Sequence, residues 1–399
     1  MEIKSMMKMA ALAAVMVTGF VACNDDDDTN TTIVSGSQDA VNQACSDWKT
    51  ARANWEQSEA FLFGAADDYS IDPHTDTWPV DAQALAGVLR DNSFMNDIEN
   101  KIKTASVGIL GYHGIEYVLF RNGEPRKVDQ ITELEYKYVC AVAKDLYNAT
   151  ATLEAAWDSQ ESNAERHQIA LDYINSHYGV NDDDEQTEQL EGFVNFGKAF
   201  KNPGEGKWET ALDATLEIIS GCRDIIGEVG DSKIGLPYTG EDPNYIESPY
   251  AYNSITDFYD NILSCKNALY GAVGATAPVQ NSLMYFCLNT DNSTLKSQAQ
   301  TVQAKLDAAL SKIQAMKAPF ALNYTDNSCK VAMDALSELD EALEALDETL
   351  AQYAGNETVE AQCKNINANY VDNVVLATYR TLANNAYKLY QSIEKVQSK

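Results

Sequence analysis

Histidine is scarce in this chain, and so is positive charge. Only four His occur in 399 residues, so imidazole chemistry has few places to sit. Lys and Arg total 29 against 60 Asp and Glu, a formal charge of −31. A surface this acidic repels phosphate backbones, which excludes ordinary nucleic-acid binding and leaves cations and cationic partners. Pro is also sparse, at nine. Familiar catalytic signatures are missing: no His-Glu-x-x-His, no Gly-x-Ser-x-Gly elbow, no Walker or Rossmann glycine pattern. No Cys-x-x-Cys occurs, which argues against a thiolate zinc site. Beyond the N-terminus no stretch approaches the roughly 18 uninterrupted apolar residues that a spanning helix needs.

What is present is apolar periodicity. The chain is 45% hydrophobic, enough for sizeable cores, and its length fits two ordinary domains. Leu336, Leu339, Leu343, Leu346, Leu350 and Tyr353 are spaced by three and four. Val302, Leu306, Ala309, Ile313 and Met316 repeat the pattern, and Leu212, Leu216, Ile219, Cys222, Ile226 and Val229 nearly do. Val41, Cys45, Trp48 and Trp55 open the series, with Arg52 interrupting it. Each set lines one helix face. Asn92 and Asp326 stand where a side chain caps a helix start. The pattern predicts an all-α protein of two helical bundles, 41–203 and 204–399, divided at the Asn-Pro-Gly-Glu-Gly stretch of 202–206. Two other irregular stretches, 64–80 and 230–250, read as long aromatic-containing loops, the kind that often carries function.

Residues 1–22 read as an export signal: Lys4 and Lys8 precede an apolar run from Met9 to Val21. The run ends at Phe20-Val21-Ala22-Cys23, small residues before a Cys, which resembles a bacterial lipobox with Cys23 as the lipidated residue. An ordinary signal peptide with a chance Cys is the plainer reading. Residues 23–40 form an acidic and polar tether, and Asp25 to Asp28 resemble a surface-export signal of Bacteroidetes lipoproteins. The expected location is the outer membrane, facing the cell surface, with a periplasm-facing anchor as the alternative. Seven Cys remain after Cys23. Cys222 and Cys265 fall on apolar stripes, where a buried thiol acts as a small hydrophobe.

The strongest chemical candidate is Gly111-Tyr112-His113-Gly114-Ile115-Glu116. His113 and Glu116, three apart, share a helix face and could share a cation. Gly111 and Gly114 flank the imidazole, and glycine costs about 1 kcal/mol inside a helix unless something must approach closely. The bland alternative is a helix–helix contact with His113 hydrogen-bonded in the core. Glu59, among Phe61 and Phe63, needs a partner if buried. Glu247, opening a helix beside Ser248 and Tyr250, is a further acidic candidate. Carboxylates with one imidazole favour Fe, Mn, Zn or Ca over Cu(I). Tyr117 follows Glu116, so the inverted zinc-protease pattern fails as well.

These residues resemble the imelysin family. Residues 111–116 match its Gly-x-His-x-x-Glu signature. Trp55 to Gly64 followed by Trp78-Pro79 is similar to its N-terminal region, and Glu247-Ser248-Pro249-Tyr250 through Ser254, Asp257 and Asn261 to a later segment. The resemblance implies two helical bundles on an exported, often lipid-anchored chain linked to iron uptake, with the signature lining a site between the bundles. It implies His113, Glu116, Glu59 and Glu247 as metal-site residues, with Gly111, Gly114, Trp78, Ser248 and Tyr250 as neighbours. It also implies iron, as an ion or in an iron-bearing ligand, with surface uptake machinery as partner; with the ligand chemistry above, iron or zinc is the expected metal. Some members are described as peptidases, so a metallopeptidase is the alternative function.

Overall fold

Apolar side chains three and four apart bury one face of each long helix. In this computed structural model the described residues are 32–180, 187–189, 192–204 and 206–397, with 178–180 and 187–189 described in backbone only. Cys23 and the expected signal and acidic run lie outside them. Helix α1, Gln38–Glu56, buries Val41, Ala44, Cys45, Trp48, Ala51 and Trp55. Two short helices follow: α2, Ile71–Asp76, and α3, Gly111–Leu119. Helix α4, Glu133–Trp157, starts at a reciprocal cap in which Thr132 accepts from the Glu135 N–H and Glu135 reaches back to the Thr132 backbone. Helix α5, Ala164–Ser176, and helix α6, Ala211–Gly227, complete the middle of the chain. Helix α7 is Ser254–Tyr270, α8 Ser293–Gln314 and α9 Asn327–Ala351; α10 is Glu357–Tyr370 and α11 Leu376–Glu394. Among the described residues, strands are confined to two short antiparallel pairs, Phe120–Arg121 with Glu124–Pro125 and Tyr178–Val180 with Thr187–Gln189. The protein is all-α, as the periodicity predicts.

Helices α1, α3, α4 and α5 pack together, and α6 to α10 form a second set. The last helix, α11, returns to lie along α1 and α4. Helix α7 touches α1 directly, and this contact positions the site: the C-terminal turns of α1 face the first turns of α7. The stripes predicted for α8 and α9 are buried, Leu306 and Leu343 among them, except that Tyr353 lies past the end of α9 and is only partly buried. Asp326 caps α9 by accepting from the Ser328 N–H. The cap predicted at Asn92 belongs instead to Asp91, one residue earlier, which accepts from the Ser93 and Phe94 N–H groups.

The two stretches expected as loops are partly helical. Residues 64–80 hold Ala65–Asp68 and α2. Helix α6 does not stop at Gly227 but runs through a π-helical turn, Glu228–Ile234, into Gly235–Thr239. Helix α7 begins at Ser254, so Glu247 lies ahead of it in a turn and does not open it. The seven cysteines from Cys45 to Cys363 are all free thiols, with Cys222 and Cys265 buried as expected.

Candidate metal centre

Arg52 is the residue that breaks the apolar stripe of α1, and it is fully buried. Its guanidinium meets four carboxylates: Glu56 one turn on, Asp76 at the end of α2, Glu247 at 2.6 Å and Asp257 on α7 at 3.7 Å. A buried guanidinium needs this much compensation, since an unpaired charge away from water is very costly. Lys233, on the π-helical turn, is equally buried and lies 3.1 Å from Glu59 and 3.0 Å from Glu247. Asn261 of α7 donates to Glu56 at 2.5 Å and Glu59 at 3.0 Å. Arg52, Lys233 and Asn261 thus tie α1, α2, α7 and the turn after α6 into one polar network.

The signature glycines have steric reasons. Gly111 opens α3 at φ +61°, where a Cβ would lie 2.0 Å from the Thr75 carbonyl oxygen. Without a side chain, the start of α3 closes onto the end of α2 and sets His113 beside Asp76. At Gly114 a Cβ would lie 2.5 Å from the Tyr138 hydroxyl and 2.8 Å from the Ile109 carbonyl, so this glycine lets α3 lie against α4.

His113 is buried; its Nδ1 is hydrogen-bonded to Glu116 Oε2 at 3.0 Å, and its Nε2 makes an ion-pair contact with Asp76 Oδ1 at 3.1 Å. Glu116 is itself fixed, its Oε1 accepting from the backbone N–H groups of Tyr250 at 2.8 Å and Ala251 at 2.7 Å. Trp78 closes the site, its ring 6.0 Å from the His113 ring and 4.9 Å from Lys233 Nζ. Ser248 is buried next to Glu247, at φ +47°. Tyr250 contributes its backbone N–H, while its ring turns to Tyr117 at 5.2 Å. A cleft of about 170 Å³, lined by Glu59, Asp72, Asp76, Trp78, Glu228 and Tyr245, opens beside this network.

Burial and charge pull these groups in opposite directions. Burial disfavours protonating His113, but its bonds to Asp76 and Glu116 outweigh that and raise its pKa from 6.5 to about 9. Burial alone would raise Asp76; Arg52 and His113 overcome it and hold that carboxyl well below its usual range. Burial pushes Glu56 and Glu59 well above theirs, and Asp72 and Asp257 up to about 7.

The metal-free protein is therefore expected to lose stability above neutral pH. His113 binds its proton more tightly folded than unfolded, so its contribution is full below about pH 6.5 and is lost as pH rises through about 9. That is worth up to about 3 kcal/mol. Asp72 and Asp257 act in the same direction up to about pH 7, because ionising them in the fold is unfavourable. The depressed Asp76 works oppositely, its contribution being present above about pH 4 and lost below. Urea unfolding across pH 4 to 9.5 checks this. In His113→Gln the decline between about pH 7.5 and 9 should be largely absent, and its persistence would contradict the assignment.

The residues fit a cation. Ligating atoms of Asp76, His113 and Glu247 all lie within 4.8 Å of one another, and Glu56, Glu59 and Asp76 form an overlapping group. Glu247 Oε2 is buried with no hydrogen-bond partner. A bound ion would share Asp76 and Glu247 with Arg52, and His113 would have to give up a proton to ligate. The four expected metal residues all lie in this network, but their roles divide. Both oxygens of Glu116 are occupied, one by His113 and one by two backbone N–H groups. It therefore orients the imidazole, while Asp76, whose Oδ1 faces His113 Nε2 and whose Oδ2 accepts from Trp55 Nε1 at 2.7 Å, is the carboxylate that shares a candidate ligand group with His113. Sequence reasoning singled out neither Asp76 nor Glu56 nor Lys233. It saw Arg52 only as an interruption, although one charged residue at a core-facing position was the available signal.

The family model for imelysin (peptidase M75) matches residues 25–370. An iron-regulated protein A from Synechococcus elongatus is 25% identical over 224 residues, 56% of this chain and 51% of that protein, so the match spans about half the relative's length. Among solved structures, an iron-regulated protein A precursor from Parabacteroides distasonis superposes with a TM-score of 0.61 at 24% identity, over 79% of this chain and 85% of that one. An imelysin peptidase from Bacteroides ovatus gives 0.52 at 25% identity, over 66% of this chain and 68% of that one. With the family model covering most of its length and the fold agreeing, the chain belongs to the imelysin family.

Proposed function

We propose that this protein is a lipid-anchored metal-binding protein of iron acquisition, holding an iron ion at Asp76, His113 and Glu247. One observation carries the reading: three ligating side chains from separate elements, all buried, converge within 4.8 Å beside an unpartnered Glu247 oxygen. The oxygen-rich set with one imidazole suits iron or zinc, and the relative's name, iron-regulated protein A, favours iron. The ion would supply the positive charge that the surplus carboxylates lack. The cleft of about 170 Å³ is small beside the roughly 300–1,000 Å³ of sites for organic ligands, which favours a metal ion over an iron-bearing chelate.

The peptidase alternative has less support. A metal-assisted hydrolase needs a free base beside the ion, and Glu116 has both oxygens engaged. Calorimetric titration of iron(II), iron(III) and zinc into wild type and His113→Ala tests the binding reading. Binding should weaken at least about 100-fold in the variant, since even outer-sphere changes cost roughly 10–100-fold. Equal binding in both would leave His113 a packing residue. Cleavage of peptides by the metal-loaded wild type, lost in His113→Ala, would favour the peptidase instead.

The anchor belongs to the same reading. Cys23 carries lipid, the acidic run after it directs the protein to the outer face of the outer membrane, and surface uptake machinery is the partner. Cys23→Ala is expected to move the protein from the membrane pellet to the soluble fraction. A variant that still pellets would remove the lipid anchor from this account.

A further inference from the structure

Two of the four histidines lie outside the His113 network and meet at a single carboxylate. His74 of α2 places Nε2 at 2.5 Å from Asp145 Oδ2, and His177, just past α5, places Nε2 at 3.0 Å from Asp145 Oδ1. Asp145 comes from the middle of α4. All three residues are buried, and their ligating atoms lie within 4.8 Å of one another.

The hydrogen-bond inventory at His177 is unusual. Its Nδ1 lies 2.9 Å from the Tyr173 carbonyl oxygen, which can only accept. Ser176 Oγ is farther from that nitrogen, at 3.2 Å. Nδ1 therefore carries the proton and donates it to the carbonyl. In a neutral imidazole this leaves a lone pair on Nε2, aimed at a carboxylate oxygen that is also acceptor-only. Lone pair against carboxylate is repulsive, so either a second proton or a metal cation lies between them. A ligating histidine characteristically donates its other N–H to a backbone carbonyl, which fixes the tautomer and aims the free nitrogen at the metal. The Tyr173 carbonyl does this here, and the Tyr173 ring stacks on His177 at 3.7 Å to hold its plane.

We propose that His74, Asp145 and His177 form a second metal site, distinct from the His113 centre, for a borderline divalent cation of the zinc or iron(II) class. Two imidazoles and a carboxylate suit such ions better than calcium or magnesium, which take oxygen ligands. Metal–nitrogen and metal–oxygen bonds of about 2.0–2.2 Å put neighbouring ligand atoms roughly 3 to 3.5 Å apart. The His177–Asp145 spacing already lies there, and His74 has to withdraw by a fraction of an ångström. Three protein ligands leave a further position for water, as in open zinc sites. The site stands whether or not the His113 centre binds iron, because no residue is shared.

Zinc and cobalt(II) are the probes, used on the full chain. His113→Ala silences the first centre and should still bind one equivalent of zinc, and cobalt(II) should give a visible d–d band in it. Adding His177→Ala or Asp145→Asn should weaken that zinc at least about 100-fold and abolish the band. Two outcomes overturn the site: no stoichiometric metal in His113→Ala, as expected if His74 and His177 are two imidazoliums sharing Asp145, or metal retained unchanged in the double variants. Should the double variants unfold, zinc K-edge absorption of zinc-loaded His113→Ala counts imidazoles directly. Two per zinc support the site, and one or none overturns it. Loss of binding in the wild type on His113→Ala alone, with this equivalent intact, refers to the first centre only.

Discussion

Arg52→Met is expected to cost about 3–5 kcal/mol of unfolding free energy at neutral pH, the range for removing one partner of a buried charge network. Met fills much of the volume, so the effect is electrostatic. Glu56, Asp76, Glu247 and Asp257 would lose the guanidinium that they surround. The loss should shrink towards pH 5, where Asp257, raised to about 7 by burial, is protonated and needs no counter-charge. Bound metal should also restore part of it, because the cation would bond Asp76 and Glu247, the two carboxylates that it shares with the guanidinium in the wild type. Urea unfolding of the variant at pH 7.5 and pH 5, with and without zinc, reads all three effects. A loss below about 1 kcal/mol at pH 7.5 would mean that Arg52 is not the counter-charge that holds these carboxyls in place.

Gly111→Ala should also be damaging, at about 2–5 kcal/mol. A left-handed conformation costs an L-residue roughly 1–2 kcal/mol, and overpacking adds about 1–3 kcal/mol. The obstacle is the Thr75 backbone carbonyl, 2.0 Å from the new methyl, which no side-chain rotation can relieve. The stress falls on the α2–α3 contact, so metal binding should weaken along with stability. Gly87→Ala is the control: that glycine lies inside a helix, Ala82–Arg90, with nothing within 4 Å of a Cβ. It should be neutral or gain up to about 1 kcal/mol. Similar thermal melts for Gly111→Ala and wild type would show that α2 and α3 can separate without harm.

Much of this architecture is legible from sequence because apolar spacing survives folding unchanged. The stripes of α8 and α9 can be read residue by residue, and so can the cap at Asp326. His113 and Glu116 are legible as neighbours because three residues of helix set their distance. Glu116's role is not, because the two N–H groups that occupy it come from Tyr250 and Ala251, far away in the chain. Asp76 reaches His113 only because Gly111 lets two short helices close, a contact with no local periodicity. Lys233 is hidden for a different reason: the stretch around it reads as a loop, whereas a π-helical turn carries the α6 direction onward and turns its side chain inward. Arg52 was visible as an exception to its stripe, but its partners were not, since three of the four lie on other elements.

The most direct test of the central claim is anomalous diffraction at the iron edge from crystals of the iron-loaded full chain. One iron peak is expected, enclosed by Asp76, His113 and Glu247, with Glu116 still bonded to His113 and to the 250–251 backbone. No peak in that enclosure, with Arg52 still holding both Asp76 and Glu247, would contradict it.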